Sequence, residues 1–218
     1  MMQRKTVSGV VSLLLMAVFV ILGVVFGVYQ LFAYKALSRG LLGIASIAFL
    51  AVPITLPRLG LSHPHRLYCL FFAFCIMAYD FGCVWQGFDR YDYFDKISHF
   101  LSGIVFTILG FCIYLYLNRP RPEKLDGNPA ISCTYAVFFS VFVAVVWEIC
   151  EFTGFVTTGH DSQHTLTTGV FDTMQDLIAC LLGSLLSAGS FILYIKKKIV
   201  LITGFVLEEF FILNQKRP

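Results

Sequence analysis

Residues 7–32, VSGVVSLLLMAVFVILGVVFGVYQLF, contain no acidic or basic side chain. A helix rises about 1.5 Å per residue and the hydrocarbon layer of a bilayer is about 30 Å thick, so about 20 mainly apolar residues suffice to cross it. Five later stretches, approximately 40–56, 67–85, 97–117, 131–155 and 174–195, repeat the pattern. The expected fold is all-α: a polytopic transmembrane helix bundle of about six spans, forming a single integral membrane domain over 1–218. The second stretch is the shortest and carries Pro53 and Pro57 near its end. Arg4 and Lys5 precede the first apolar run as they would in a signal peptide, but the run exceeds a signal core of roughly 7–15 residues and reads as a mature helix. Residues 199–213 are interrupted by Glu208 and Glu209, and read as a helix lying along the interface.

Composition agrees with this reading. Of 218 residues, 58% are hydrophobic and only 13% charged, which excludes an ordinary soluble domain. The mean hydropathy is +0.80. The net charge of +3 is small, and no basic run is interleaved with aromatics, so nucleic acid is not an expected partner. Membrane lipid is, and a second copy of the chain would supply the symmetry of a carrier. The seven cysteines lack any C-x-x-C spacing and read as small buried hydrophobes.

Short loops rich in Lys and Arg stay cytoplasmic. With six spans, Arg4, Lys5, Arg58, Arg66, Arg119, Arg121, Lys124, Lys196, Lys197, Lys198, Lys216 and Arg217 fall on one side, and Lys35, Arg39, Arg90 and Lys96 on the other. Both termini are therefore expected in the cytoplasm, with the chain a multi-pass protein of the cytoplasmic membrane. The acids distribute oppositely: Asp80, Asp89, Asp92, Asp95, Glu148, Glu151, Asp161, Asp172 and Asp176 belong to the outer half.

Within that outer set, Asp95 and His99 are four apart, Glu148 and Glu151 three, and Asp172 and Asp176 four, so each pair shares a helical face. Packing of the three helices would gather them at one depth, with Asp80 nearby. Close carboxylates repel unless protons or a cation neutralise them, and carboxylates with an imidazole suit Mg²⁺, Mn²⁺ or Zn²⁺. Glu148, Glu151, Asp172 and Asp176 are the expected metal ligands, with Asp95 or His99 as acid or base. His160 and His164 flank Asp161 in a loop, and read either as further ligands or as solvated side chains. The bland alternatives are concrete. Asp172 with Gln175 fits a capping box, Asp95 suits a helix start, and Asp80 reads equally as an interhelix hydrogen-bonding group. The Glu148 and Glu151 pair, near the outer end of its helix, has no capping explanation, and its alternative is a pair solvated at the outer rim.

The stretches Asp95-Lys96-Ile97-Ser98-His99, Trp147-Glu148-Ile149-Cys150-Glu151 and 171–179, FDTMQDLIA, followed by Gly183, together resemble the YjdF-like inner-membrane proteins, a family of uncharacterised function. Their order and spacing are also similar to VanZ-like proteins, whose named member is linked to glycopeptide-antibiotic resistance. The resemblance covers roughly 65–195. Where YjdF-like members often carry an acid after a loop glycine, Gly169 is here followed by Val170 and Phe171. The resemblance implies a membrane location and a fold, and no reaction. Three functions are open to the residues themselves: a metal-dependent enzyme acting on a lipid-linked or envelope substrate, a proton- or cation-coupled transporter, or a non-catalytic envelope or assembly protein.

Overall fold

A computed structural model describes residues 7–58, 64–91, 93–118 and 129–214. Arg4, Lys5, Asp92, Lys216, Arg217 and the charged residues of the 119–128 loop, on which part of the orientation argument rests, lie outside the described residues. The described chain is helical throughout: α1 Val7–Tyr34, α2 Leu37–Ala45, α3 Ala51–Arg58, α4 His65–Cys75, α5 Gly87–Arg90, α6 Phe94–Asn118, α7 Pro129–Thr158, α8 Thr165–Thr168, α9 Phe171–Lys197 and α10 Ile202–Asn214. Six helical stretches are long and apolar enough to cross a membrane: α1, Leu37–Thr55, His65–Val84, α6, α7 and α9.

Two of these six are irregular. Between α2 and α3 the chain tightens to a 3₁₀ turn over Ser46–Leu50. Pro53 offers no N–H and its ring crowds the carbonyl four residues earlier, which disfavours a regular α-turn there. Beyond α4 the chain widens to a π-helix over Ile76–Val84. The helices also begin earlier than hydropathy indicates: α6 starts at Phe94 and α9 at Phe171. The leading turns are polar, but Asp95 and Asp172 lie where the helix dipole favours negative charge.

The contacts divide the chain into two compact units, 1–92 with 208–218, and 93–207. In the first, Phe19 packs with Tyr68, Phe72 and Cys75. The backbones of α1 and α2 touch, because a side chain on Gly43 would run into the Gly23 carbonyl. Glu209 accepts from the Arg66 N–H at 2.6 Å and from Ser8 Oγ at 3.5 Å, and the Arg66 guanidinium reaches Glu208 at 3.3 Å. The two glutamates that interrupt the last apolar stretch are thus held at the start of α4.

The second unit is built on α6, α7 and α9. A side chain on Gly103 would strike the Cys180 carbonyl, and one on Gly183 the Phe100 carbonyl, so α6 and α9 meet backbone to backbone by a reciprocal glycine contact. Close approach of this kind replaces the hydrophobic effect as the driving force in lipid. At the crossing, Ser184 Oγ donates to Ser140 Oγ at 3.0 Å, and Ser140 Oγ donates to the Gly103 carbonyl at 3.2 Å, tying in α7. Gly110 lies against Ala136, and the rings of Phe111 and Phe191 meet at a tilt of 33° with centroids 4.1 Å apart.

Candidate functional site

The reciprocal glycine contact fixes α6 and α9 side by side with their N-terminal turns together, about two to three turns from the contacting glycines. Asp95, Lys96 and His99 project from the start of α6, and Asp172 and Asp176 from the start of α9. Glu148 and Glu151 come from α7, which runs on about two turns past Glu151 to Thr158. The helix dipole therefore disfavours these glutamates less than their position in the sequence implied, since its effect is concentrated in the last turn.

Lys96 is the centre of the arrangement. Its Nζ lies 2.5 Å from Asp172 Oδ1, 2.8 Å from Asp176 Oδ2 and 3.4 Å from Asp95 Oδ2. It is also 2.8 Å from Asp176 Oδ1, but that oxygen has no partner with hydrogen-bond geometry. His99, buried at 5% exposure, places Nε2 3.5 Å from Asp95 Oδ1 and 3.8 Å from Glu148 Oε1. Glu148 Oε1 is buried without a hydrogen bond, while Glu148 Oε2 accepts from Gln163 Nε2 at 2.9 Å. The same Gln163 amide donates to the Glu148 carbonyl at 3.0 Å, pinning the 159–170 loop onto α7. Glu151 accepts from Trp147 Nε1 at 3.0 Å.

Four carboxylates thus lie against one ammonium and one imidazole, with Glu151 a turn beyond Glu148 on α7. Charges this close in a poorly hydrated setting cannot all remain unbalanced, so the excess is neutralised by protons or by a cation. Among the described residues, one set of three presents ligand atoms all within 4.8 Å of one another: Asp95, His99 and Asp176. An ion about 2.1 Å from each ligand would draw donors to within roughly 4 Å of one another, so a small inward movement suffices. Two carboxylate oxygens and one imidazole nitrogen are a donor set that borderline and hard divalent ions accept.

Of the residues singled out in the sequence, Asp95, His99, Glu148, Glu151, Asp172 and Asp176 all lie in this region of the second unit. The capping box does not form, because α9 has Val170 at its N-cap and Asp172 instead engages Lys96. His160 is exposed beside Ser162, and His164 is exposed with a left-handed backbone at the start of α8. Asp161 between them closes the loop: its carboxylate accepts from the N–H groups of Thr165 and Leu166, each at 2.9 Å, and from the Thr165 hydroxyl at 2.8 Å. Lost hydration pulls its proton affinity up, but these bonds and the nearby His164 outweigh it and hold the carboxyl below its ordinary range. Asp80 belongs to the first unit, fully buried in the π-helical stretch. The cysteines are free thiols, three of them buried.

Sequence reasoning passed over Lys96 and Gln163 as site residues. Lys96 had a signal: a basic residue beside an acid in the first turn of an apolar helix must find counter-charges nearby. Gln163 had none.

Six membrane-length helical stretches among the described residues, with a polar centre gathered from α6, α7 and α9 in the second unit, define a polytopic helical membrane protein. Residues 10–197 match the predicted membrane protein family DUF2238, and the chain belongs to that family, the one the YjdF-like resemblance indicates. No curated protein and no solved structure matches the chain.

Proposed function

We propose that the chain is a small membrane-embedded metalloenzyme whose centre faces the outer side of the cytoplasmic membrane and acts on a lipid-linked phosphate or ester. The observation that carries this reading is the convergence of Asp95, His99 and Asp176 ligand atoms within 4.8 Å. These three residues would hold a divalent ion, Zn²⁺, Mn²⁺ or Mg²⁺, leaving other coordination positions for water and substrate. The ion would supply Lewis acidity and a more acidic water. Glu148, with one buried oxygen free of hydrogen bonds 3.8 Å from His99, is placed to receive a proton. Lys96, when it turns from Asp172 and Asp176, is placed to meet an anionic substrate group. The likeness of the Asp95-to-His99 motif to VanZ-like proteins favours an envelope substrate.

The test is elemental mass spectrometry on the detergent-purified protein. Near-stoichiometric metal is expected in the wild type, lost in His99→Ala and Asp176→Asn and retained in Glu151→Gln. Absence of metal after incubation with Mg²⁺, Mn²⁺ and Zn²⁺ would overturn the metalloenzyme reading.

A second reading has its own support. Lys96 already balances Asp172 and Asp176 at 2.5 and 2.8 Å, an arrangement suited to exchange of protons or cations during transport. Flux in liposomes that is abolished by Lys96→Met, in a protein free of metal, would favour it.

A further inference from the structure

The first unit holds a carboxylate that the proposed centre does not use. Asp80 has no exposed surface, and neither of its oxygens has a hydrogen-bond partner among the described residues. Ser46 is equally buried, and its hydroxyl is likewise without a partner. The two meet at one place. A Cβ on Gly23 would lie 2.6 Å from Ser46 Oγ and 3.0 Å from Asp80 Oδ1, so the absent side chain of Gly23 leaves the space in which both oxygens converge. The three residues come from three different membrane-length stretches. Two of them depart from α geometry here: the 3₁₀ turn begins at Ser46, and Asp80 sits in the π-helical stretch. Irregular turns of this kind recur at functional positions in helices.

Among the described residues no opposing charge is at hand. α1 has no acidic or basic residue. Arg39 of α2 is directed to Asp89, 3.7 Å away, and Arg90 lies over the Trp85 ring at 5.1 Å. On the helix of Asp80 itself the titratable neighbours are Cys75, Tyr79 and Cys83, and the Tyr79 hydroxyl donates to the Leu42 carbonyl at 2.6 Å. An ionised carboxylate in such surroundings is strongly disfavoured and takes up a neutralising partner. One carboxylate and one hydroxyl are too few oxygens for a divalent ion, which takes six or more. A proton needs no further ligand than the carboxylate itself, and the unpartnered Ser46 Oγ, which converges on the same space, is the hydroxyl that can turn to it.

We propose that Asp80, with Ser46 as its hydrogen-bond partner, is an intramembrane proton-binding site in the first helical unit, occupied at neutral pH. Binding converts the carboxylate to a carboxylic acid, and release returns the same proton to solvent. The site is separate from the Asp95, His99 and Asp176 set and stands whether or not that set binds metal.

Infrared difference spectroscopy of the full-length protein in lipid tests it, through the carbonyl stretch of a protonated carboxylic acid. At neutral pH the wild type is expected to give a band that shifts in D₂O, is lost completely in Asp80→Asn, persists in Asp172→Asn, moves in Ser46→Ala and ignores added NaCl. Should Asp80→Asn fail to fold, Asp80→Glu serves in its place by displacing the band. A wild-type spectrum in which no band responds to change at Asp80 overturns the proposal. So does a band that NaCl abolishes at constant pH, which would make the site one for sodium, and so does a band indifferent to Ser46→Ala.

Discussion

Replacing Lys96 by Met removes one charge and leaves two buried ones. Asp176 is 2% exposed and Asp172 12%, so both lose their counter-ion without gaining water. Breaking a buried pair from one side costs about 3 kcal/mol. A lower unfolding temperature of Lys96→Met in detergent is expected, partly restored when Asp176 is also changed to Asn. Asp161 gives a pH-dependent counterpart at the protein surface. Its folded value is depressed from 3.8, so the loop binds this proton less readily than the unfolded chain does. The stabilisation is fully present above 3.8 and is lost as pH falls through the lower folded value. Pepsin cleavage within 159–170 should rise steeply in that acid range for the wild type, and should be fast throughout for Asp161→Ala. The acids of the centre were legible from their helical spacing, because an apolar helix tolerates few charges and those it keeps stand out. Their partners were less so: Lys96 was visible in a topological count and within the Asp95-to-His99 motif but not as a counter-ion, and Gln163 depends on a loop path that spacing does not encode.

At the scale of the helices, the reciprocal glycine contact decides whether the centre exists. A methyl group on Gly103 or Gly183 meets a backbone carbonyl, which cannot turn aside as a side chain would. Gly103→Ala and Gly183→Ala are each expected to cost about 3 kcal/mol, at the upper end for overpacking, and to loosen the Lys96 ion pairs with Asp172 and Asp176. Gly189→Ala is the control, since nothing lies within 4 Å of its missing Cβ; it should be neutral or stabilise the helix by up to about 1 kcal/mol. Thermal unfolding of the three variants distinguishes these outcomes. Hydropathy located each crossing helix but placed the starts of α6 and α9 about three residues late, at 97 and 174 in place of Phe94 and Phe171. The missed turns are the polar ones that carry Asp95, Lys96 and Asp172, where the helix dipole and mutual pairing sustain a helix that apolarity does not announce. The 3₁₀ turn had its trace in Pro53. The π-helix at Ile76–Val84 had none.

For the whole chain, an even number of crossings puts both ends on the same side. The α10 helix, Ile202–Asn214, is about 20 Å long and too short to add a crossing by itself. Given the Lys and Arg distribution, a reporter active only in the cytoplasm and fused after Pro218 is expected to be active, as is one fused ahead of Met1. Opposite results at the two ends would mean an odd number of crossings. Six apolar stretches were legible because lipid demands length and apolarity over every crossing, a requirement far stricter than any propensity. The partition of polar groups into an ion-paired centre in one unit and a lone acid in the other was not, because depth in a membrane says nothing of which helices are neighbours.

The π-helical stretch also sets where Asp80 points. A wide turn advances each residue by less than the α-helix's roughly 100°, because its hydrogen bonds close five residues on and not four. Wound as a regular α-helix over the same residues, Ile76–Val84 would turn Asp80 further round the axis relative to α4 and out of register with Gly23 and Ser46. The irregularity and the acid therefore go together, and a relative with a regular helix here should carry an apolar residue at the position of Asp80.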